Sequence, residues 1–307
     1  PKSLLDNRAF KKTTSLYLPN NVFSMLPLEF SENLCSLLEQ KEKNALSFII
    51  ETNKNFEILN TAIKPSVVFI KKNKSYEEVN EILANPTHNS YWFFKTFYNF
   101  ALIQQKKRLQ EQHGIEFAFP TIIPKIVEGQ IVLKHYNPFS QSAFIVKEMM
   151  VLGNALAANF CKTHSLPIIY TAQDEPDAVF TLENRLITEK AEMLSIVKYM
   201  KKAYTTTQPH PHYALGLSCY TQATSPIRRY QDLVIQRQIT AFITNKPLPY
   251  SIDAIYEIKT ALEIQKPIIS QIESESNKYW LLKYLLLHYR NKPLEGIVTK
   301  ELPDGYL

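Results

Sequence analysis

Glycine is scarce in this sequence, and its scarcity removes two large classes of protein. Only six glycines occur among 307 residues, about 2% of the chain, against roughly 7% in an average protein. No two of them have the spacing of a phosphate-binding loop, and none is followed by lysine. The chain therefore contains neither a Walker A loop nor a dinucleotide-binding fingerprint, which argues against most nucleotide hydrolases and dinucleotide-dependent enzymes.

Cysteine and long apolar runs are also rare. The three cysteines, Cys35, Cys161 and Cys219, are far apart and form no CxxC motif, so neither a disulfide framework nor a cysteine-rich zinc site is expected. So few and such widely spaced cysteines favour a reducing compartment. The longest apolar stretches fall far short of the ~20 residues that span a bilayer, so we expect no transmembrane helix and no membrane partner. The residues that follow Pro1 show no signal-peptide pattern.

Aromatic and basic residues are well represented. Hydrophobic residues make up 45% of the chain, with 17 tyrosines and 17 phenylalanines, so the chain can bury a sizeable core. Lysine and arginine number 35 against 29 acidic residues, which gives a net charge of +6. This surplus favours an anionic partner but does not identify it.

The apolar pattern changes from strand-like to helical along the chain. Runs at 45–50, 56–63 and 67–70 predict antiparallel strands of a meander. Ser75 followed by Glu78 predicts a capping box at the start of a helix. Helical spacing predicts further helices over 91–114 (with a basic cluster at 106–108), 142–164, 181–203, from Pro226 onward, and 252–290. Residues 204–226 are polar and contain prolines, as in a functional loop.

The segment Thr-Ser-Pro-Ile-Arg-Arg-Tyr at 224–230 carries the strongest chemical signal. A helix that begins at Pro226 would place Arg228 and Arg229 at its positive end, where two guanidinium groups can bind phosphate oxygens. The alternative is that these arginines pair with carboxylates such as Asp232. The residues alone leave both interpretations open.

A longer segment around these arginines resembles a known family signature. Tyr-Thr-Gln-Ala-Thr-Ser-Pro-Ile-Arg-Arg-Tyr-Gln-Asp-Leu at 220–233 is similar to that of the ribonuclease II/ribonuclease R (RNB) exoribonucleases. Further matching blocks occur in family order: Ser-Leu-Tyr-Leu-Pro at 15–19, Met-Leu-Pro at 25–27, Leu-Cys-Ser-Leu at 34–37, Val-Lys-Glu-Met-Met-Val-Leu-Gly-Asn at 146–154, Leu-Pro-Ile-Ile-Tyr at 166–170 and His-Tyr-Ala-Leu-Gly-Leu at 212–217. The variants at Gln222 and Gln236 look most like the shorter bacterial and organellar branch.

The resemblance implies both a fold and an activity. It implies an α+β RNB catalytic domain over 1–292, a mixed sheet wrapped by helices around an RNA channel, followed over 293–307 by the first strand of an OB-fold RNA-binding module. The implied activity is processive 3′→5′ hydrolysis of single-stranded RNA to nucleoside 5′-monophosphates with Mg²⁺. We expect a monomer in the cytoplasm, or in an organelle if the source is eukaryotic.

The matching motifs also assign residues. Arg228 is implied as the catalytic residue that holds the scissile-region phosphate. Bases are implied to stack on Tyr17, Tyr76 and Phe117, although each of these aromatics could instead pack in the core. The remaining RNA-binding residues on this basis are Arg229, Glu148 and Glu273, the last of which is otherwise a surface carboxylate.

Two positions depart from the family pattern. The family's metal ligands are aspartates in a D-x-D-D pattern that precedes the block at 15–19, so we expect them upstream of Pro1 and none in this chain. The compact acidic group at 174–177 is better interpreted as a solvated loop. Lys147 stands where many relatives carry the first of two glutamates, which leaves Glu148 alone. The competing hypotheses are a catalytically inactive RNA-binding relative and a protein-interaction remnant.

Overall fold

Helices provide most of the regular structure. The computed structural model describes residues 1–119, 121–177 and 185–293, together with the strand residues 301–302 and 305–306. The α-helices in these ranges are α1 (Leu4–Lys12), α2 (Tyr76–Ala84), α3 (Tyr91–Lys106), α4 (Gln141–Thr163), α5 (Lys190–Val197), α6 (Tyr230–Ile243) and α7 (Ile252–His288). The predicted helices at 75–84 and 142–164 are therefore confirmed nearly to the residue.

The strands pair two by two. They are β1 (Leu16–Leu18), β2 (Asn21–Phe23), β3 (Glu42–Thr52), β4 (Ile58–Phe69), β5 (Glu116–Phe117), β6 (Thr121–Val127), β7 (Gln130–Tyr136), β8 (Tyr170–Ala172), β9 (Leu186–Ile187), β10 (Tyr204–Thr206), β11 (Glu301–Leu302) and β12 (Gly305–Tyr306). Strands β5 and β9 pair in parallel, and the other described pairs (β1–β2, β3–β4, β6–β7, β8–β10 and β11–β12) are antiparallel. The mixture of helices and strands confirms the α+β class. The expected OB-fold strand falls mostly on 294–300, outside the described residues.

The predicted meander over 45–70 is instead one long hairpin. Strand β4 continues through Pro65, which lies opposite Leu46 of β3. A two-stranded sheet leaves one edge of each strand unpaired, so a proline there need not remove a ladder hydrogen bond. The prediction of three short strands was wrong because it treated the polar residues around Pro65 as a break.

Two helices differ from their predicted bounds. The helix expected over 91–114 ends as an α-helix at Lys106 and continues as a π-helical turn over Lys107–Glu111, which buries Arg108. The helix expected over 181–203 is reduced to α5, and residues 178–184 lie outside the described part. Helix α7 runs on without a break although it contains Pro267.

The helix of the signature segment begins later than predicted. Helix α6 begins at Tyr230, and residues 226–228 form a turn before it. The N-cap is Arg229, with φ −135° and ψ 124°, rather than Thr224 or Ser225. The Ser225 N–H donates to the carboxylate of Asp232 at 2.8 Å, which holds the turn against the first helical turn. The start predicted at Pro226 was wrong, and Arg228 lies on a turn.

Helix α4 passes through the main core. By length and composition it is the one described helix that could cross a bilayer. Its residues Ala157, Ala158 and Cys161 are fully buried, however, and they pack in one cluster with Ile235 and Ile239 of α6. We therefore interpret α4 as a core helix.

A second cluster fixes the first helix against the end of the domain. It joins α1 to α6 and α7 through Ala9, Val234 and Ile255, all fully buried. At its edge the carboxylate of Asp6 accepts hydrogen bonds from Arg237 at 2.5 Å and from the Tyr230 hydroxyl at 3.1 Å. Burial alone would raise the pKa of Asp6, but these bonds hold it below its ordinary value.

Replacing Asp6 by asparagine should destabilise the protein in a pH-dependent way. We expect Asp6→Asn to lower the free energy of unfolding by about 2–3 kcal/mol near neutral pH, because a hydrogen bond to a charged group contributes roughly that much. The folded pKa lies below the unfolded value, so this stabilisation is present above about pH 4 and is lost as the pH falls through the folded pKa. Denaturant titrations of both proteins across this range measure the difference. A difference that stays constant down to the lowest pH would contradict the assignment.

Candidate functional site

The signature turn is held by backbone pairing with the start of the chain. The Ser15 N–H donates to the Arg228 carbonyl at 2.9 Å, and the Tyr230 N–H donates to the Thr13 carbonyl at 2.8 Å. The Thr14 hydroxyl adds a bond of 2.8 Å to the Arg228 carbonyl. This antiparallel bridge, defined here as residues 13–15 with 228–230, places Arg228 directly beside the block at 15–19.

The two arginines of the signature have different surroundings. Arg229 donates through Nη2 to the fully buried carboxylate of Asp232 at 2.7 Å. Burial raises the pKa of Asp232, and the charge of Arg229 offsets only part of that effect. Arg228 is exposed, and its guanidinium makes no hydrogen bond or ion pair within the described part of the chain. Thus Arg229 binds a protein carboxylate, whereas Arg228 is available to an external anion.

Tyr17 and Glu273 lie next to this turn. Tyr17 is in the middle of β1, two residues after the bridge, and its side chain is 41% exposed. Its N–H donates to Glu273 Oε1 at 2.9 Å, so the central part of α7 holds the strand in place. The structure therefore brings Tyr17, Glu273 and the backbone of Arg228 into one region.

Tyr76 and Phe117 occupy other elements. Tyr76 is the first residue of α2 and is half exposed, and its carbonyl accepts a hydrogen bond from Ser142 of α4 at 2.9 Å. Phe117 packs partly buried against the small cluster that contains Ile187, and its ring stacks on Phe119 with centroids 5.9 Å apart. Their roles as stacking platforms stay predictions.

Glu148 is a buried ion-pair partner. Its side chain is 1% exposed, and its carboxylate accepts three hydrogen bonds from Arg108 Nε and Nη2 at 2.7–3.2 Å. Arg108 also donates to the Leu215 carbonyl at 3.0 Å, which ties α4 to the loop before the signature. Sequence reasoning assigned Arg108 only to a basic cluster at 106–108, because no periodic signal marks the π-helical turn that buries it. The predicted contact of Glu148 with RNA stays a prediction.

The atypical Lys147 also has protein partners. Its ammonium is ion-paired with Glu116 and lies 3.4 Å from Glu148. Glu116 lies 3.6 Å from Arg108 in turn. Lys147, Glu148, Arg108 and Glu116 thus form a cluster of two positive and two negative charges, which we call the four-charge cluster.

No magnesium site is formed by the described residues. They contain no group of three histidine, cysteine, aspartate or glutamate side chains placed to hold a metal ion. In the acidic loop, Asp177 is 89% exposed and pairs with Lys201 at 2.7 Å, while Asp174 accepts a hydrogen bond from the Tyr204 hydroxyl. These exposures and partners agree with a solvated loop, and the residues of the loop do not fit a metal centre.

Comparison with known proteins identifies the family. The model of the RNB domain matches residues 1–245. The chain belongs to the RNB family. Among curated relatives, an uncharacterized ribonuclease of Synechocystis is 30% identical over 99% of this chain and 45% of its own length. The chloroplastic/mitochondrial ribonuclease II of Arabidopsis thaliana is 26% identical over 99% of the chain and 38% of its own length. The chain thus spans less than half of these relatives.

Solved RNB-family structures share the fold. Mycoplasma genitalium RNase R in complex with ribose-methylated single-stranded RNA superposes with a TM-score of 0.85 over all of this chain and 54% of its own, at 21% identity. Yeast Ssd1, described as a pseudonuclease, superposes with a TM-score of 0.74 over 93% of this chain and 39% of its own, at 20% identity. The same RNB fold therefore occurs both in a protein named RNase R and in a pseudonuclease.

Breaking the buried pair of the four-charge cluster should be costly in this RNB domain. We expect Arg108→Met to lower the free energy of unfolding by about 3–5 kcal/mol, because it leaves the buried Glu148 carboxylate without its partner. The double variant Arg108→Met/Glu148→Leu should recover most of the loss, since both charges are then removed.

Denaturant titration measures these changes, and an exposed pair supplies the control. Lys74→Met removes one member of the solvated Lys74–Glu78 pair and should cost less than about 1 kcal/mol. Equal losses for Arg108→Met and Lys74→Met would show that Glu148 is not held by a buried charge.

Proposed function

We propose that the natural-length protein is an exoribonuclease that degrades single-stranded RNA processively from its 3′ end and releases nucleoside 5′-monophosphates. Membership of the RNB family and relatives named as ribonucleases support an RNA-degrading function. The observation that carries the proposal is the position of Arg228. Its backbone carbonyl is bonded to Ser15, two residues before Tyr17, and its exposed guanidinium is not neutralised by a protein carboxylate in the described residues.

The residues of this chain have distinct roles in the proposed reaction. Arg228 binds the phosphate at the scissile position and neutralises the charge that develops on its oxygens. Tyr17 stacks on a base near the 3′ end, a contact that accepts any sequence. Glu273 acts as a positioning residue, because its bond to the Tyr17 N–H fixes the strand that carries the ring. Tyr76 and Phe117 are proposed as further stacking platforms.

Magnesium is the proposed cofactor, and its ligands are not among the described residues. Mg²⁺ prefers hard oxygen ligands, which carboxylates supply. The resemblance to the family assigns these ligands to aspartates that precede Pro1 in the natural-length protein. When bound, the metal would stabilise charge on the oxygens of the transferred phosphate.

The proposed partner is single-stranded RNA, bound by a monomer. The net charge of +6 favours a polyanion, and the RNase R of Mycoplasma genitalium has been solved with single-stranded RNA. We propose a cytoplasmic location, or an organellar one if the source is eukaryotic, since the relatives include a chloroplastic/mitochondrial form.

A second candidate function is RNA binding without catalysis. It is favoured by the likeness to a pseudonuclease. In that case Arg228 and Tyr17 would still bind RNA, but no strand would be cut.

An assay on the natural-length protein separates the two functions. The protein is incubated with 5′-labelled single-stranded RNA, with and without Mg²⁺, and both shortening and retention are followed on gels. Shortening from the 3′ end to a short end product, only with Mg²⁺, is expected. Retention without shortening would overturn the enzymatic proposal and support the binding module.

Within this assay, Arg228→Ala should act on turnover more than on RNA affinity. We expect turnover to fall by about 10²–10³, the usual effect of removing one group that stabilises transition-state charge. RNA affinity should fall much less, because the aromatic contacts and the other basic residues are retained. Arg8→Ala removes an equal charge from the exposed face of α1 and should leave both quantities unchanged. Near wild-type turnover in Arg228→Ala would refute the assigned role.

Tyr17→Ala should lengthen the end product. Loss of a base–aromatic stack weakens the hold on the last nucleotides by roughly 1–3 kcal/mol, so short fragments dissociate earlier. Tyr17→Trp should restore the short product, whereas Tyr256→Ala, at a similarly exposed tyrosine of α7, should not change it. Sequencing gels measure the product length, and an unchanged length in Tyr17→Ala would contradict stacking at this position.

A further inference from the structure

A cavity of about 340 Å³ lies beside the antiparallel bridge. It is bounded by residues 13–14 of the bridge, by β10 and its approach, and by the part of α7 around Pro267. Arg229 lines this cavity, and Arg228 does not. The cavity is therefore a separate space from the surface at which Arg228 is exposed.

Two cationic groups line the cavity and are only partly used by the protein. The ammonium of Lys266 is exposed and forms no ion pair or hydrogen bond within the described ranges. Arg229 binds Asp232 through Nη2, but its Nε is buried without a hydrogen-bond partner among the described residues. A buried donor of this kind is costly unless a ligand or solvent satisfies it.

Among the described residues, one carboxylate lines the cavity, and it is already bound. Glu263 accepts hydrogen bonds from the Thr205 hydroxyl at 2.6 Å and from Lys259 at 3.0 Å. Its charge is therefore balanced by Lys259, a residue that does not line the cavity. Asp232, which also lies outside the lining, balances Arg229 in the same way, so Lys266 leaves the described lining with one unbalanced positive charge, which favours an anion.

The cavity also offers an apolar wall. Leu262, Ala203 and Pro267 supply this apolar surface.

Size narrows the ligand class. Small-molecule sites usually measure about 300–1,000 Å³, so a cavity of 340 Å³ holds one small ligand and excludes an oligonucleotide. A phosphate on Arg229 and Lys266, with a planar base against Leu262 and Pro267, uses every feature described above.

We propose that this cavity binds a nucleoside 5′-monophosphate, with its phosphate on Arg229 and Lys266. The inference rests on the proposed function in one respect, since a 5′-monophosphate is the product of that reaction. Occupancy of the cavity engages Arg229, the neighbour of Arg228 in the bridge, so accumulated product slows RNA degradation.

Adenosine 5′-monophosphate is the probe that tests the site directly. Titration calorimetry on the natural-length protein, without RNA, should detect one binding event. Lys266→Glu should weaken it at least tenfold, whereas Lys283→Glu, the same charge change about 25 Å further along α7, should not. Arg228→Ala should keep the wild-type affinity, since Arg228 lies outside the cavity. Equal affinities for Lys266→Glu and Lys283→Glu, or a loss in Arg228→Ala alone, would overturn the proposal.

Two further ligands establish which part of the nucleotide is recognised. Adenosine and inorganic phosphate should each bind at least tenfold more weakly than the monophosphate. If inorganic phosphate binds as tightly as the nucleotide, the cavity recognises only an anion, and its assignment as a nucleoside monophosphate site is wrong.

Inhibition of RNA degradation separates this inference from the proposed function. Adenosine 5′-monophosphate should inhibit the wild-type protein and Lys283→Glu but not Lys266→Glu. RNA degradation without nucleotide binding would refute the cavity assignment and leave the nuclease intact. Nucleotide binding by a protein that never shortens RNA would refute the nuclease and leave the cavity as a nucleotide site.

Discussion

The antiparallel bridge between residues 13–15 and 228–230 is the constraint on which the arrangement of this RNB domain depends. It joins segments 214 residues apart in sequence, so the chain gives up considerable loop entropy to form it. Side-chain bonds on both sides of the bridge help to offset that cost. Asp6 binds Arg237 and Tyr230 on one side, and Asp232 binds Arg229 and the Ser225 N–H on the other. Each of these carboxylates is buried and bonded to an arginine.

Two neighbouring arginines acquire different chemistry from this arrangement. Arg228 ends the turn and Arg229 is the extended residue that follows it, so the two side chains have different surroundings. Arg229, paired with Thr14, meets the buried Asp232 and the cavity, whereas Arg228 is exposed. Pairing with a carboxylate, one of the two alternatives that the sequence left open, is thus realised by Arg229, and phosphate binding by Arg228 stays a proposal. Two hydrogen bonds from Thr14 and Ser15 fix the backbone of Arg228, whereas its side chain must still be ordered when it binds an anion.

The sequence predicted local structure well where a local interaction decides it. The capping box of Ser75 and Glu78 placed the start of α2 correctly, because its two reciprocal hydrogen bonds lie within one turn. Long-range contacts decided the features that were missed. Helix α6 begins at Tyr230 because Arg229 pairs with Thr14, and Arg108 faces inward because Glu148 is buried 40 positions away. The motif residues Tyr17 and Glu273 are joined by a hydrogen bond near the backbone of Arg228, whereas Glu148 lies in the protein interior.

The four-charge cluster explains how the domain accommodates its departure at Lys147. A glutamate at this position would place three carboxylates, with Glu116 and Glu148, around the single guanidinium of Arg108. Lysine there balances the cluster at two charges of each sign, and Glu116 provides its ion-pair partner. Because Glu116 immediately precedes Phe117, this pairing also anchors the strand that carries a proposed stacking residue. The substitution therefore changes the charge near the proposed RNA path while the buried Arg108–Glu148 pair remains satisfied.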